Sequence, residues 1–337
     1  MKKKIIIGIV LGLLSVSLVI CFVIALRNHL NGSTSTKTST KTLSTSKIVK
    51  GGIYKITGDN SCIVINTEED VTLELENAKI TCDNGPAINI ESGDTTIILT
   101  GENEISSTTT EDLDGAIYAK DDLIISGEGS LKVTSNIDGI VSKDNLVING
   151  GTFNIEADDD GIRGKDSVEI NGGTFNLNVK GDGIKSTNED EEDMGNITIT
   201  DGTFNINSVS DGIQAVSNLN IKGGTFNIKT TGSEDSSKGL KSDKLITIDN
   251  GSITIDSVDD GIHSNGNIVI NNGDIKVTSL DDAIHADGML EIFDGTFELN
   301  AKEGLEATYV KINGGNINIS ASDDGINAGN KSDAYSV

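Results

Sequence analysis

The chain has 337 residues and a formal net charge of −26, with one proline, no tryptophan and 39 glycines. So acidic a chain repels nucleic acid and anionic lipid, which excludes direct DNA or RNA binding. Short runs of Ile, Val, Phe and Thr alternate with Asn, Asp and Gly turns, and beyond the first segment apolar residues do not recur at helical spacing. The composition therefore predicts an all-β protein.

The N-terminal segment is basic and apolar, unlike the rest. Residues 1–4 carry three lysines and are expected to stay in the cytoplasm, while residues 5–26 form an apolar run long enough to cross a bilayer. We expect an uncleaved signal anchor there, with a cleaved signal peptide as the alternative. Residues 27–47 are rich in Ser and Thr and predict an unstructured tether. The bulk of the chain is thus expected on the extracellular face, anchored or secreted, with no other contact to the membrane.

A repeat of about 22 residues organises the remainder, and a fixed period of this length indicates a solenoid. Its marker is an apolar residue that follows Asp-Gly in most copies. The marker positions are Ile88, Ile117, Ile140, Ile162, Ile184, Ile213, Leu240, Ile262, Ile284, Leu305 and Ile326. Each copy holds three short alternating segments, such as "GIRGK", "SVEI" and "TFNL" within 161–177. Three strands per turn predict a parallel β-helix, which the handedness of β crossovers predicts to be right-handed.

The repeat also divides the chain. Residues 48–110 are β-rich but less regular and are expected to form an N-terminal cap and the first coils, whereas 111–337 form the regular coils. Because the chain stops at Val337 after the first strand of a coil, we expect either that the C-terminal cap is missing or that the sequence is truncated. Cys62 and Cys82 stand about one repeat apart, so that stacking would allow a disulfide outside the cell, with two buried thiols as the alternative.

Stacked coils place the Asp residues of successive corners above one another, about 4.8 Å apart. Like charges at that distance repel by roughly 1 kcal/mol in water and about 3 to 4 kcal/mol at an effective dielectric of 20. Ca²⁺ prefers carboxylate oxygens and would compensate them, so we predict that these residues bind Ca²⁺. The alternative is that each Asp caps its own turn. The predicted ligands are Asp159, Asp160, Asp182, Asp211, Asp259, Asp260, Asp281, Asp282, Asp323 and Asp324.

The position after each marker residue faces outward and concentrates potential cations on this acidic chain. Beside bound Ca²⁺ they would suit a carboxylated polymer. The predicted carbohydrate-binding residues are Arg163, Lys185, Gln214, Lys241, His263 and His285. A further outward row contains Asn154, Asn176, Asn205 and Asn227, which either contact a ligand or bond one another.

The "DDGI" and "GGTF" coils, behind a membrane-targeting segment and a Ser/Thr tether, resemble the extracellular carbohydrate-binding β-helix proteins of clostridia and related bacteria. The resemblance covers roughly residues 50–330. It implies a right-handed parallel β-helix that binds Ca²⁺ and acidic or neutral cell-wall polysaccharides, and that is similar in topology to family 9 polysaccharide lyases.

Three functions follow from this pattern. Non-enzymatic, calcium-dependent polysaccharide binding is favoured, a purely structural or adhesive rod is one alternative, and a lyase that acts by Ca²⁺-assisted β-elimination is another. In a lyase, Lys185 or Lys241 would be the base, but a Lys needs a lowered pKa for that role. The acidic stretch 188–193 follows Lys185 closely and would keep it protonated.

Overall fold

The computed structural model describes residues 41–42, 47–110, 112–232 and 237–329. Within these ranges every regular element is a β-strand. No helix among the described residues is long and apolar enough to cross a membrane. The predicted cytoplasmic residues 1–4, the anchor 5–26 and most of the tether 27–47 lie outside the described residues.

The strands wind into a solenoid of about 12 turns, in which each strand pairs in parallel with a strand of the next turn. Three rows result. The first row contains Lys47–Ile48, Ile63–Asn66, Ile88–Ser92, Gly115–Ala119, Asp138–Ser142, Ile162–Gly164, Ile184–Ser186, Ile213–Ala215, Leu240–Ser242, Ile262–Ser264 and Ile326–Ala328. The second row contains Lys41–Thr42, Thr95–Thr100, Leu123–Gly127, Asn145–Ile148, Ser167–Ile170, Asn196–Ile199, Asn218–Ile221, Leu245–Ile248 and Asn267–Ile270. The third row contains Glu102–Ser107, Ser130–Ser135, Thr152–Ala157, Thr174–Val179, Thr203–Ser208, Thr225–Thr230, Ser252–Ser257, Asp274–Ser279, Thr296–Ala301 and Asn316–Ala321.

Four longer strands turn a corner without a break. Gly52–Asn60 and Val71–Cys82 run through the second and third rows, whereas Asp282–Ile292 and Glu303–Ile312 run through the first and second rows. All of these pairings are parallel as well, so the corners of the solenoid continue through them.

The register confirms the predicted repeat. From Ile88 to Ile326, each marker residue pairs with the next one, including across the three steps that are longer than the repeat, which start at Ile88, Ile184 and Ile213. The insertions are absorbed between strands and leave the pairing unchanged. The prediction of a parallel β-helix is therefore confirmed.

The solenoid starts earlier than the sequence suggested. Lys41–Thr42 pairs with Tyr54 and Lys55, and Lys47–Ile48 pairs with Val64 and Ile65. The predicted tether 27–47 therefore includes two short strands of the solenoid. Thr has a high β propensity, and an open strand edge gives even a Ser/Thr-rich segment a partner.

The core is a stack of like residues. Phe153, Phe175, Phe204 and Phe226 are fully buried at the same position of successive third strands. Their rings are nearly parallel, with centroids 5.0, 4.8 and 4.6 Å apart. Period-2 alternation thus sends one side chain in each pair inward and the next outward.

The corner before the third strand depends on glycine. Gly173 has a φ of 121°, in the left-handed region, and a Cβ built there would lie 2.9 Å from the carbonyl oxygen of Gly151 in the coil below. A side chain at this corner would strain both the backbone and the stacking of adjacent coils. The last glycine of this "NGG" corner is therefore required by both its backbone conformation and the close approach of the adjacent coil.

Cys62 and Cys82 form a disulfide, with Cα atoms 4.9 Å apart. Cys62 precedes the strand Ile63–Asn66, and Cys82 ends Val71–Cys82. The disulfide joins two adjacent turns of the first coils, which confirms the first of the two alternatives for this pair.

Candidate functional site

The Asp of each Asp-Gly corner binds the backbone of the next coil. The Asp160 N–H donates to Asp138 Oδ1 at 2.9 Å, the Asp182 N–H to Asp160 Oδ1 at 2.8 Å, and the Asp211 N–H to Asp182 Oδ1 at 2.7 Å. All four residues are buried. We call this row the aspartate ladder. Its members do cap corners, but each carboxylate caps the corner of the following coil rather than its own turn.

Lys238 takes one rung of the aspartate ladder. Its N–H donates to Asp211 Oδ1 at 2.8 Å, whereas its ammonium group bonds the buried carboxylate of Asp259. The ladder then resumes, because the Asp282 N–H donates to Asp260 Oδ1 at 2.9 Å. A lysine can occupy this position because the hydrogen bond that it donates to Asp211 uses only its backbone N–H.

Asp138 is the N-terminal rung of the ladder, and Asp114 lies beyond it with its carboxylate bonded to Arg163; sequence reasoning missed both. Both stand in an Asp-Gly pair before a marker residue, which was the available signal, but neither has the doubled Asp of the later copies. At the other end, Asp323 and Asp324 are exposed in the last described coil.

The predicted carbohydrate-binding residues form one row in register on the first strands, from Arg163 to His285. We call it the cation row. Arg163 donates from Nε to Asp138 Oδ2 at 2.9 Å and also bonds Asp114. Lys185 Nζ lies 2.7 Å from Asp182 Oδ2 and 3.6 Å from Asp160 Oδ2. These cations fold back onto the aspartate ladder.

The rest of the cation row behaves in the same way. Lys241 Nζ lies 3.7 Å from Asp211 Oδ2, and His263 Nδ1 lies 2.7 Å from Asp260 Oδ2. Gln214 is the neutral member between Lys185 and Lys241. The residues predicted to bind Ca²⁺ and those predicted to bind carbohydrate thus contact one another, and protein cations supply much of the compensation that the stacked carboxylates require.

That compensation is incomplete. Burial raises the pKa of Asp138 to about 6 against the opposing effect of Arg163, and it raises the pKa of Asp160 to about 7 against that of Lys185. Burial and then the charge of Asp182 raise the pKa of Asp211 to about 6. The ladder carboxylates therefore retain an unfavourable electrostatic environment that a further cation would relieve.

The environment of Lys185 bears on the lyase alternative. Burial alone would lower the pKa of Lys185, but the carboxylates of Asp182 and Asp160 outweigh burial and raise it. A Lys that acts as a base needs the opposite shift. The geometry therefore holds Lys185 as a structural cation.

Two all-carboxylate groups bring predicted metal ligands together. Asp159 and Asp160 join Asp138, and Asp259 and Asp260 join Asp281, with one oxygen of each residue within 4.8 Å of the others in its group. Asp159 is exposed, whereas Asp259 is buried and already bonded to Lys238. The group formed by Asp138, Asp159 and Asp160 is thus the one that solvent reaches most directly.

Next to this corner lies an open groove of about 430 Å³ at the end of the third strands. Thr134, Glu156, Asn178 and Asn207 line it at one position of four successive coils, and Val209 adds an apolar contact. We call it the corner groove. One hydroxyl, carboxylate or amide group per coil therefore lines the groove at regular spacing. A linear polymer with repeating units could contact these groups in succession.

Side chains of the outward Asn row form hydrogen bonds with one another. Asn176 Nδ2 donates to Asn154 Oδ1 at 2.9 Å, and Asn205 Nδ2 donates to Asn176 Oδ1 at 2.9 Å. These amides hold adjacent coils together, which supports the second of the two alternatives for the row.

A second acidic row, absent from the sequence-based prediction, lines a groove of about 420 Å³ between the first and second strands. Asp70, Asp94, Asp122, Asp144 and Asp166 contribute to it. Asp144 and Asp166 each follow a lysine, as Asp121 of the same groove does in the preceding coil, and this repeated Lys-Asp pair was the available signal. Burial raises the pKa of Asp144 to about 6, reinforced by its hydrogen bond to Asp166 and by the neighbouring carboxylates.

The raised pKa of Asp144 predicts that the free energy of unfolding depends on pH. Because the folded-state pKa of Asp144 is about 6 rather than 3.8, the folded protein binds the proton more tightly, and stability falls as pH rises between these values. We expect Asp144→Asn to raise the melting temperature above pH 6 and to give no gain near pH 4. Exposed Asp201, at another corner, supplies the control Asp201→Asn. Melting curves in chelator from pH 4 to 8 test this, and equal gains at both ends would contradict it.

The chain matches the family model described as "Carbohydrate-binding domain-containing protein" twice, over residues 43–282 and 264–335. The first match alone spans more than half of the chain, and the overlap of the two fits a repeating structure. No curated protein matches the chain significantly.

A similar solved structure is that of the polysaccharide lyase-like protein from C. thermocellum, determined as a gadolinium derivative. It is 24% identical, with a TM-score of 0.48, and the alignment covers 68% of this chain and 83% of that one. The family assignment depends on the family model alone. The chain belongs to the family of carbohydrate-binding domain-containing proteins.

Proposed function

We propose that this protein binds a cell-wall polysaccharide outside the cell, with Ca²⁺ as the bridging ion and without cleaving the polymer. The observation that carries the proposal is the carboxylate group of Asp138, Asp159 and Asp160 beside the corner groove. Asp158, the residue before Asp159, lines that groove.

Charge supports a bridging cation. Arg163 and Lys185 already pair with ladder carboxylates, so their charges are engaged within the protein. An acidic glycan that approached this surface would meet the exposed carboxylate of Asp159. Ca²⁺ takes six to eight oxygen ligands, and three carboxylates leave room for glycan oxygens and water. The same ion would relieve repulsion within the ladder and attract the polymer.

The disulfide supports the extracellular setting. Cys62 and Cys82 pair, and structural disulfides persist mainly in oxidising compartments. The proposal places the chain on the outer face of the cell, anchored by residues 5–26 or released after their cleavage.

Retention of the purified protein on polygalacturonate and on cellulose, with and without Ca²⁺, tests the proposal. We expect Ca²⁺-dependent retention on at least one of them and no unsaturated product that absorbs in the ultraviolet. Retention unaffected by a chelator would contradict the calcium requirement. Accumulation of the unsaturated product would establish the lyase alternative, and no retention on any glycan would leave the structural rod.

Asp159→Asn tests the ion directly. Since Asp159 is exposed, the fold should survive, and we expect the Ca²⁺ needed for half-maximal retention to rise roughly tenfold, equivalent to about 1.4 kcal/mol. Asp256→Asn is the matched control, because Asp256 is exposed and paired with Lys229 at 2.7 Å, outside both carboxylate groups. Equal effects of the two variants would contradict the assignment of Asp159.

A further inference from the structure

The cation row changes its chemistry at its C-terminal end. Lys241 pairs in register with His263, His263 with His285, and His285 with Glu306. A permanent cation is thus followed by two imidazoles and then by a carboxylate. The aspartate ladder continues beneath them with Asp260 and Asp282, so that acidic groups increase where fixed positive charge ends.

The two imidazoles converge on the ladder carboxylates. His263 Nδ1 lies 2.7 Å from Asp260 Oδ2, and His285 Nδ1 lies 3.5 Å from the same oxygen. His285 Nδ1 is also 3.2 Å from Asp282 Oδ2 and 3.9 Å from Glu306 Oε2. One ring nitrogen therefore faces three carboxylates from successive coils, although a single proton can serve only one of them well.

The outer nitrogens of both rings face oxygen as well. His263 Nε2 lies 2.9 Å from Asn265 Oδ1, and His285 Nε2 lies 3.5 Å from Asp287 Oδ1. A neutral imidazole has one N–H, so each ring needs either a second proton or a metal ion on Nδ1. A histidine that binds a metal through one ring nitrogen usually donates the N–H of its other nitrogen to an oxygen acceptor. Here Asn265 and Asp287 would accept from Nε2 and leave Nδ1 as the ligand atom.

Asp282 provides an independent observation. It is 3% exposed, yet its Oδ1 has no hydrogen-bond partner, whereas Oδ1 of Asp160, Asp182 and Asp260 each accepts a backbone N–H from the next coil. A buried carboxylate oxygen without a partner is costly. Its other oxygen, Oδ2, lies 3.2 Å from His285 Nδ1, so this carboxylate has fewer protein partners than its counterparts in the ladder and more need of a cation.

We propose that Asp260, His263, His285 and Asp282 bind one divalent transition-metal ion of the zinc class, with Glu306 at the open side. Two ligand groups with atoms within 4.8 Å of one another share His285: one with Asp260 and His263, the other with Asp282 and Glu306. Imidazole and carboxylate ligands together suit zinc-class ions, whereas Ca²⁺ takes oxygen ligands. A cleft of about 250 Å³ lined by His285, Glu306 and Thr308 gives the ion access.

The competing explanation is that both imidazoles are protonated and act as ion-pair partners, as Lys185 does. His285→Lys separates the two, because it keeps the positive charge and removes the nitrogen ligand. His285→Gln and His263→Gln each remove one ligand. His29→Gln changes the remaining histidine of the chain and controls for general histidine affinity.

The full chain, stripped with a chelator, is titrated with Zn²⁺ alone by calorimetry, and melting curves are recorded with and without the ion. We expect one ion per chain, a raised melting temperature, and at least a ~100-fold loss of affinity in His285→Gln, more than outer ligand partners usually cost. His285→Lys should melt like the wild type in chelator but lose the Zn²⁺-dependent rise. His29→Gln should bind as the wild type does.

Three results would overturn the proposal. They are the absence of Zn²⁺ binding by the wild-type chain, unchanged binding in both His263→Gln and His285→Gln, and displacement of Zn²⁺ by millimolar Ca²⁺, which would indicate an oxygen-only site. Because Asp159 takes no part in this site, Asp159→Asn should leave Zn²⁺ affinity unchanged, and a loss there would equally contradict it.

Discussion

Phe175→Ala is expected to destabilise the protein by about 4 kcal/mol, within the range for deletion of a buried aromatic ring. The ring is fully buried between those of Phe153 and Phe204, at centroid distances of 5.0 and 4.8 Å. Its loss leaves a cavity that the neighbouring coils cannot fill, because hydrogen bonds along the strands fix their spacing. Urea denaturation followed by circular dichroism measures the change.

Two other variants separate packing from hydrophobicity. Phe293→Ala removes a ring that is 45% exposed, so we expect a change within about 0.5 kcal/mol. Phe175→Ile should cost less than about 1.5 kcal/mol, since Ile253 and Ile275 occupy the same row naturally. If Phe175→Ala cost no more than Phe293→Ala, the aromatic stack would not be a main source of stability. In a solenoid the loss should also stay local, which hydrogen exchange in the flanking coils would show.

The fold was predictable because each coil repeats the same local choices. Alternation fixes which residues point inward, glycine at "NGG" fixes a corner, and the marker residue fixes the register from Ile88 to Ile326. A shift of one residue in the pairing of a strand would move its inward side chains to the surface, so the alternation pattern permits only one register. The start of the solenoid was less predictable, because Lys41–Thr42 lacks an apolar pattern and depends on a partner strand.

For the candidate site, the sequence predicted which residues stack in the same row but not which side chains contact one another. Stacking placed the Asp rows and the cation row correctly beside one another, but sequence does not show which way a long side chain folds. Arg163 reaches back to Asp138 and Asp114, two residues outside the predicted set. Lys238 joins the ladder through its backbone, which no side-chain pattern reports. The second acidic row was missed although Lys-Asp recurs at 143–144 and 165–166, because the prediction followed only the Asp residues that precede the marker residues.

These contacts change the expected mode of recognition. A free cation row would bind an acidic glycan directly, but Arg163, Lys185 and Lys241 each lie within 4.0 Å of a ladder carboxylate and are compensated. The proposed binding of a glycan would then use bridging ions or neutral hydrogen bonds. The corner groove supplies the latter through Asn178 and Asn207, and the exposed carboxylate of Asp159 supplies a place for the former.

The aspartate ladder itself should be structural even when no ion is bound. Asp160→Ala, measured in chelator, is expected to destabilise the protein by about 3 kcal/mol, because it leaves the buried Asp182 N–H without an acceptor and removes one carboxylate beside Lys185. Asp160→Asn keeps an oxygen that can accept the same N–H, and Lys185 keeps its shorter contact of 2.7 Å to Asp182. We therefore expect Asp160→Asn to cost less than about 1 kcal/mol.

Asp256→Ala is the control for the pair, since it breaks an exposed contact to Lys229 and should change stability by less than about 1 kcal/mol. Urea unfolding of the three variants ranks them. If Asn at position 160 were as damaging as Ala, the charge of Asp160 rather than its acceptor oxygen would hold the coils together. If Ala cost no more than Asp256→Ala, the ladder would contribute nothing to the fold. The expected ranking, with Asp160→Ala much less stable than Asp160→Asn, would show that an acceptor oxygen for the backbone N–H of the next coil, rather than the charge of Asp160, maintains the stacking of the coils.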